Sequence, residues 1–175
     1  VGIQAGEDLT SGHSNALLGA FAGTNITTGL QNVAIGYGAL STANTGESKN
    51  VAVGTNTLSL MDNATDNFNT AVGYEAGKVV TTGVRNTLVG GRAGDALTTG
   101  VRNVAIGYAA LSQEDANSYN VAIGDSALTQ LNAGADGYNV AVGYQAGTAM
   151  TTGDLNTIVG GLAGDSLTGG NNNVA

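Results

Sequence analysis

The feature that most constrains this chain is a phrase that returns at almost constant spacing: an Asn, apolar residues, then Gly. It reads Asn15-Ala16-Leu17-Leu18-Gly19, then Asn32-Val33-Ala34-Ile35-Gly36, then Asn50-Val51-Ala52-Val53-Gly54. Further copies begin at Asn69, Asn86, Asn103, Asn120, Asn139 and Asn156, and a tenth opens at Asn173. The intervals are 17, 18, 19, 17, 17, 17, 19, 17 and 17 residues. The fourth residue after each Asn is always glycine: Gly19, Gly36, Gly54, Gly73, Gly90, Gly107, Gly124, Gly143 and Gly160. The seventh is Ala in every copy except Thr57. Self-similarity at a short fixed period is the mark of stacked repeats, in which each unit rests on its neighbours.

A longer period overlies the short one. The eighth residue after each Asn runs Gly23, Leu40, Leu58, Gly77, Gly94, Leu111, Leu128, Gly147, Gly164, a cycle of four copies. Residues 1–175 therefore read as a single repeat array with four-turn superrepeats of about 70 residues, such as 32–102 and 103–172. The chain opens on Val1 without Met and closes just inside a new copy, so an excerpt of a longer polypeptide is expected.

Each copy carries one short apolar run rich in β-branched residues and ended by Gly, too short for a helix but suited to a strand of about 3–5 residues. One such strand cannot bury its own face, whereas stacked copies pair at about 4.8 Å. The expected fold is all-β: a parallel β-solenoid of nine to ten turns of 17–19 residues, roughly 45 Å long. Stacking identical positions predicts an Asn ladder along Asn15, Asn32, Asn50, Asn69, Asn86, Asn103, Asn120, Asn139, Asn156 and Asn173. The repeated glycines suit a corner too crowded for a Cβ. A second apolar anchor closes the turn, at Leu9, Ile26, Val80, Leu97, Met150 and Leu167, with Leu40 and Leu111 taking this role elsewhere. The Thr-Thr-Gly, Ala-Asp-Gly and Asn-Thr-Gly runs are turn chemistry.

Strand side chains alternate faces, so in Val33-Ala34-Ile35 the Ala points away from its two neighbours. Both faces are apolar, as in strands buried on both sides. One face fills the coil, and another copy of the chain is the economical cover for the other. The small residues suggest an Ala-lined, closely packed axis between copies. The alternative is a thin monomeric coil covered by its own loops. The residue after each corner glycine alternates large and small, from Ala20 and Tyr37 to Tyr144 and Gly161. A Tyr ring can thus lie over the small residue of an adjacent turn, or form a row that stacks on sugars.

Composition narrows the function classes. Net charge is −8, and the five basic residues are scattered, so the clustered cations of a nucleic-acid binder are missing. No apolar run approaches the ~20 residues of a membrane helix, so no membrane insertion is expected in this segment. Cysteine is absent, which removes disulfides and thiolate metal sites. Hydrophobic residues reach 42% and are regularly spaced, which argues against a disordered linker.

Catalysis needs converging acid, base or nucleophile groups, and none is evident, so the chain is not read as an enzyme. His13, the single histidine, sits in a Ser-Gly-His-Ser corner where other copies carry Leu30, Val84 and Val101. Gly90-Gly91-Arg92-Ala93-Gly94-Asp95 and Gly160-Gly161-Leu162-Ala163-Gly164-Asp165 approach a calcium-binding nonapeptide, but the third Gly is displaced and the match comes once per four turns. The Gly-rich runs lack the Gly-Lys-Ser/Thr ending of a P-loop. No cofactor and no metal are expected. Paired threonines such as Thr81-Thr82 invite an ice-binding reading but recur irregularly. Loops on rigid scaffolds carry binding, so the two 19-residue turns, contributing Ser59 to Phe68 and Thr129 to Tyr138, are the candidate exposed binding loops. Asp62, Asp66, Phe68, Asp136 and Tyr138 are their candidate contacts, the three acids as weak oxygen ligands for a cation and the aromatics as coil caps or ligand contacts.

The phrases Asn103-Val104-Ala105-Ile106-Gly107-Tyr108 and Asn69-Thr70-Ala71-Val72-Gly73-Tyr74, followed by Thr-Thr-Gly, resemble the head repeats of trimeric autotransporter adhesins. They resemble still more the related long repeats of phage and other viral tail fibres. The resemblance covers the whole chain. It implies a left-handed parallel β-roll assembled as a parallel homotrimer, on a virion appendage or a cell surface. It implies a structural shaft segment supporting host attachment, with a cell-surface receptor or glycan as the outside partner. A bacterial adhesin head that itself binds host or matrix is the alternative. The adhesin-head repeat is near 14 residues, so the 17–19-residue turns here need a longer outer loop. A left-handed triangular helix of hexapeptides ranks behind, because no apolar residue recurs every six positions.

Overall fold

The computed structural model describes residues 2–43, 46–113, 115–134 and 136–175. It is all-β. Nine three-residue strands occur in chain order: β1 (Ala16–Leu18), β2 (Val33–Ile35), β3 (Val51–Val53), β4 (Thr70–Val72), β5 (Thr87–Val89), β6 (Val104–Ile106), β7 (Val121–Ile123), β8 (Val140–Val142) and β9 (Thr157–Val159). They form one parallel sheet in sequential order, β1 to β9. The chain is thus a β-solenoid with one strand per turn, and about eight turns separate the first strand from the last. Register pairs each position with its copy, as in Val33↔Val51, Ala34↔Ala52 and Ile35↔Val53. The 18- and 19-residue turns keep that register, so their extra residues are absorbed in the loops. Among the described residues no helix is long and apolar enough to cross a membrane.

Three residues are few for a strand, but pairing does not stop there. After the corner, Gly23 N–H donates to Ala39 O at 2.9 Å and Gly38 N–H to Ala20 O at 3.0 Å. On the opposite side Thr81 N–H donates to Thr98 O at 2.9 Å. Backbone groups therefore find partners one turn away around the whole coil, which meets the requirement that buried N–H and C=O groups be paired.

Among the described residues the interior positions of a turn lie at +2, +7, +8 and +11 from its Asn, and their sizes compensate. In the turn of Asn86 these are Leu88, Ala93, Gly94 and Leu97, all tightly enclosed. In the turn of Asn120 they are Ala122, Ala127, Leu128 and Leu131, all fully buried. A large strand residue (Leu17, Leu88, Ile158) always meets Gly at +8 (Gly23, Gly94, Gly164). Where both are small, as at Ala71 and Gly77, neighbouring turns fill the space: a Cβ on Gly77 would lie 2.7 Å from Leu88 and 2.9 Å from Leu58. The four-copy cycle is a packing cycle, consistent with the near-crystalline density of protein interiors. Ile26, Val80, Leu97 and Met150 close the coil as expected, joined by Met61 and Leu131, while Leu9 at the open end is exposed.

One expectation is reversed. Ala34, Ala52, Ala71, Ala105, Ala122 and Ala141 are fully buried within the single chain, so the Ala face lines the coil interior, not an axis between copies. Alternation shows that two faces exist but not which one turns inward. The outward face belongs to the flanking Val, Ile and Thr residues, which stay half-exposed or exposed.

The asparagine column is continuous. Each Asn Oδ1 accepts the backbone N–H of the next Asn: 2.9 Å from Asn32 to Asn15, 2.9 Å from Asn120 to Asn103 and 2.9 Å from Asn173 to Asn156. Several Nδ2 groups donate to a carbonyl fourteen residues ahead, as from Asn69 to Gly83 (2.8 Å) and Asn86 to Gly100 (2.9 Å). The side chain thus ties its own corner to the turn that follows. The corner glycines hold φ between 131° and 140°. A Cβ on Gly107 would sit 2.3 Å from Gly124 O, a backbone atom that cannot yield. On Gly160, beyond which no further corner glycine stacks, the nearest atom would be 3.6 Å away.

Left-handed backbone is not confined to glycine. Residues just before the Asn (Lys49, Arg85, Arg102) and six after it (Phe21, Asn56, Arg92) have φ of 54–62°. Such geometry costs roughly 1–2 kcal/mol per residue in isolation. Here it recurs at the same positions turn after turn, held by the inter-turn hydrogen bonds.

Candidate functional site

Three surfaces present side chains outward. The first is the outer face of the sheet. Its +1 and +3 positions are Val, Ile, Leu, Ala or Thr in all nine strands, with no charge. Leu18 is 51% exposed, Ile35 36% and Val159 58%. Eight strand spacings make this stripe roughly 40 Å long.

The second surface is the column preceding the Asn ladder, where the structure gathers part of the predicted loop set. Phe68 is exposed, with Lys49 Nζ 5.0 Å from its ring centroid, and Lys49 also pairs with Asp66. Tyr138 stacks on Tyr119 with centroids 4.8 Å apart and planes at 9°. The Arg102 guanidinium lies 5.5 Å from the Tyr119 ring and donates to its hydroxyl at 2.9 Å. Cation–π and stacking contacts of this kind contribute about 0.5–1.5 kcal/mol each. Asp62 is exposed outside both groups. Asp136 borders a shallow groove of about 240 Å³ with Ala133, Thr152 and Asp154. Among the described residues no group of three or more His, Cys, Asp or Glu is placed to hold a metal ion.

The third surface follows the corner glycines. Tyr37, Tyr74, Tyr108 and Tyr144 form a row, each 54–56% exposed, on every second turn, with Thr55, Gly91 and Asp125 on the turns between. Tyr108 lies over Gly91, where a Cβ would come within 3.4 Å of its ring. Phe21 meets Tyr37 edge-to-face, with centroids 5.5 Å apart and planes at 78°. Beside them opens a groove of about 390 Å³ lined by Phe21, Thr24, Asn25, Tyr37, Gly38, Ser41, Thr42 and Asn56.

Two charged groups escaped the sequence reading. Glu47 is fully buried, and its Oε1 accepts the N–H groups of Asn63 and Ala64 at 2.9 and 3.0 Å. It stands where other turns carry a glycine, and its carbonyl accepts Asn32 Nδ2 at 2.7 Å. That glycine column, broken at Glu47, Asp66, Asn117 and Asp136, was the available signal. The other is Glu75, which accepts from Lys78 at 2.9 Å and lies 3.6 Å from Arg92. The Lys78 hydrogen bond holds the Glu75 carboxyl below its usual range. Nearby Asp95 is pushed up, first by desolvation, against the pull of Arg92.

His13 lies in an exposed corner with Nδ1 3.2 Å from Ser14 Oγ. The threonine hydroxyls turn along the axis to bond carbonyls of the next turn, as from Thr81 to Thr98 (3.3 Å) and Thr151 to Thr168 (3.0 Å). Comparisons with family models, with curated proteins and with solved structures each find no match.

Proposed function

We propose that the chain is a structural segment of a viral tail fibre or similar appendage, in which three parallel copies stand side by side and support host attachment. The observation that carries this reading is the uncharged apolar sheet face, half-exposed along the whole array. Monomeric proteins rarely expose a continuous apolar stripe of this length. The face repeats with the period of the coil, so the surface that matches it at every turn is another copy in register. The chain carries a net charge of −8, and copies repel except across a face without charge. A left-handed coil and the number three come from the family resemblance. The stacked backbone, Asn column and glycine corners make a stiff rod, and stiffness is what a spacer needs.

A bacterial surface adhesin head is the second reading, favoured by the exposed aromatic row and its groove. Flanking sequence separates the two: a chaperone or particle-attachment domain fits the fibre, a membrane-anchor barrel the adhesin. The assembly itself is tested by Ile106→Glu on the outer face. Light scattering should show the oligomer lost while circular dichroism keeps the β signal. An unchanged oligomer would sink the proposed interface.

A further inference from the structure

We infer that the groove between Phe21 and Tyr37 is a binding site for a neutral pyranose sugar. The inference rests on the attachment reading and names the ligand class of one wall. Three observations carry it.

The groove's volume, about 390 Å³, lies within the range of small-ligand sites. Its aromatic rings meet edge-to-face and so make a corner, not a closed stack. An aromatic face offers apolar area and a negative quadrupole to the C–H face of a sugar ring.

Polar groups facing it are unengaged. Among the described residues the side chains of Asn25, Ser41 and Asn56 make no hydrogen bond within the chain, unlike the ladder asparagines. Two amides and a hydroxyl supply both donors and acceptors, the pattern that vicinal hydroxyls require. No charged side chain lines the groove, which favours a neutral sugar over an acidic one.

Conformation alone does not require glycine at Gly38, because other turns carry other residues at the same φ. Its position, six residues after the Asn, has φ of 63°, and the same position holds Phe21, Asn56, Glu75, Arg92, Ala109, Ser126, Gln145 and Leu162 at φ of 51–62°. What Gly38 supplies is space: a Cβ there would lie 2.6 Å from Asn56 Oδ1 and 4.0 Å from Ser41 Oγ. One superrepeat later the corresponding positions read Arg92, Tyr108, Ala109 and Ser126, so the groove is particular to the first turns and is not a by-product of the repeat.

The test is saturation-transfer NMR on the intact chain in its native assembly, with methyl glycosides of galactose, glucose, mannose and N-acetylglucosamine as probes. At least one should receive transfer. Tyr37→Ala and Gly38→Ala should each weaken its binding about tenfold or more, roughly 1.4 kcal/mol. Both variants place a residue that another turn already carries there, Ala20 and Ala109, so both should fold. Tyr74→Ala, in the same row outside the groove, should bind as the parent does. No transfer to any of the four, or transfer undiminished in both groove variants, would overturn the assignment. Native mass, measured on the same samples, reports the assembly separately, so failure of one reading is distinguishable from failure of the other.

Discussion

Residues 32–102 and residues 103–172 wind through the same four turns with different surfaces. Their interiors match: Ala34 with Leu40 in one, Ala105 with Leu111 in the other, all fully buried. Their Asn and Gly columns are continuous across the join. The outward positions diverge. Lys49 and Phe68 in the first are Tyr119 and Tyr138 in the second, so a cation–π pair becomes a ring stack. Gly38 becomes Ala109, and buried Glu47 becomes buried Asn117, yet both latter carbonyls accept a ladder amide, at 2.7 and 2.8 Å. Contacts along the axis are thus held to one solution, whereas contacts away from it are free to change. A solenoid has this property because each turn touches only its neighbours.

The comparison can be broken most severely at a corner. Gly107→Ala puts a Cβ 2.3 Å from Gly124 O and should cost about 4 kcal/mol or more. Gly160→Ala shares the unfavourable φ without the clash and should cost about 1–3 kcal/mol. Urea denaturation of the two variants measures the difference, and equal losses would mean that φ, not stacking, sets the glycine. Next in size is the ladder. Asn103→Ala deprives Asn120 N–H of its acceptor and Asn117 O of a donor, a loss of about 2–4 kcal/mol. Asn173→Ala, at the end of the column, should lose about 1 kcal/mol by the same assay.

Below the loss at Asn103 comes that at buried Glu47. Glu47→Ala strands two N–H donors and should cost about 1–3 kcal/mol, while Glu47→Gln keeps an acceptor and should lose less than half of that. The smallest effect is a pH dependence on one wall. Glu75 has a lowered folded-state pKa, so its contribution is present above its unfolded pKa and fades as pH falls through the folded value. Asp95 has a raised one, so it favours folding at low pH and that contribution is lost as pH rises through its folded value. Asp95→Asn should therefore raise the melting temperature slightly at pH 7 and leave it unchanged near pH 3. Thermal melts at both pH values check the sign.

Much of this architecture is readable in the residues. The Asn-to-Gly phrase gives strand, corner and period, because stacking forces like onto like. The inward face is harder. Val33-Ala34-Ile35 offers two apolar faces, and a small residue fits a thin coil interior as well as a tight interface. The deciding signal lay across positions, in the exchange of Leu17, Leu88 and Ile158 against Gly23, Gly94 and Gly164, which only residues sharing one interior would show. The candidate loop residues were placed by turn length alone. Turn length marks where chain protrudes but not what it meets, so the pairing of Phe68 with Lys49 and the groove at Phe21 and Tyr37 needed the folded coil.

The account turns on the outward sheet face, and native mass spectrometry of the folded segment tests it most directly. The prediction is a single species of three chains, three times 17.1 kDa, that Ile106→Glu reduces to one. A stable, folded single chain with that face in water would contradict it.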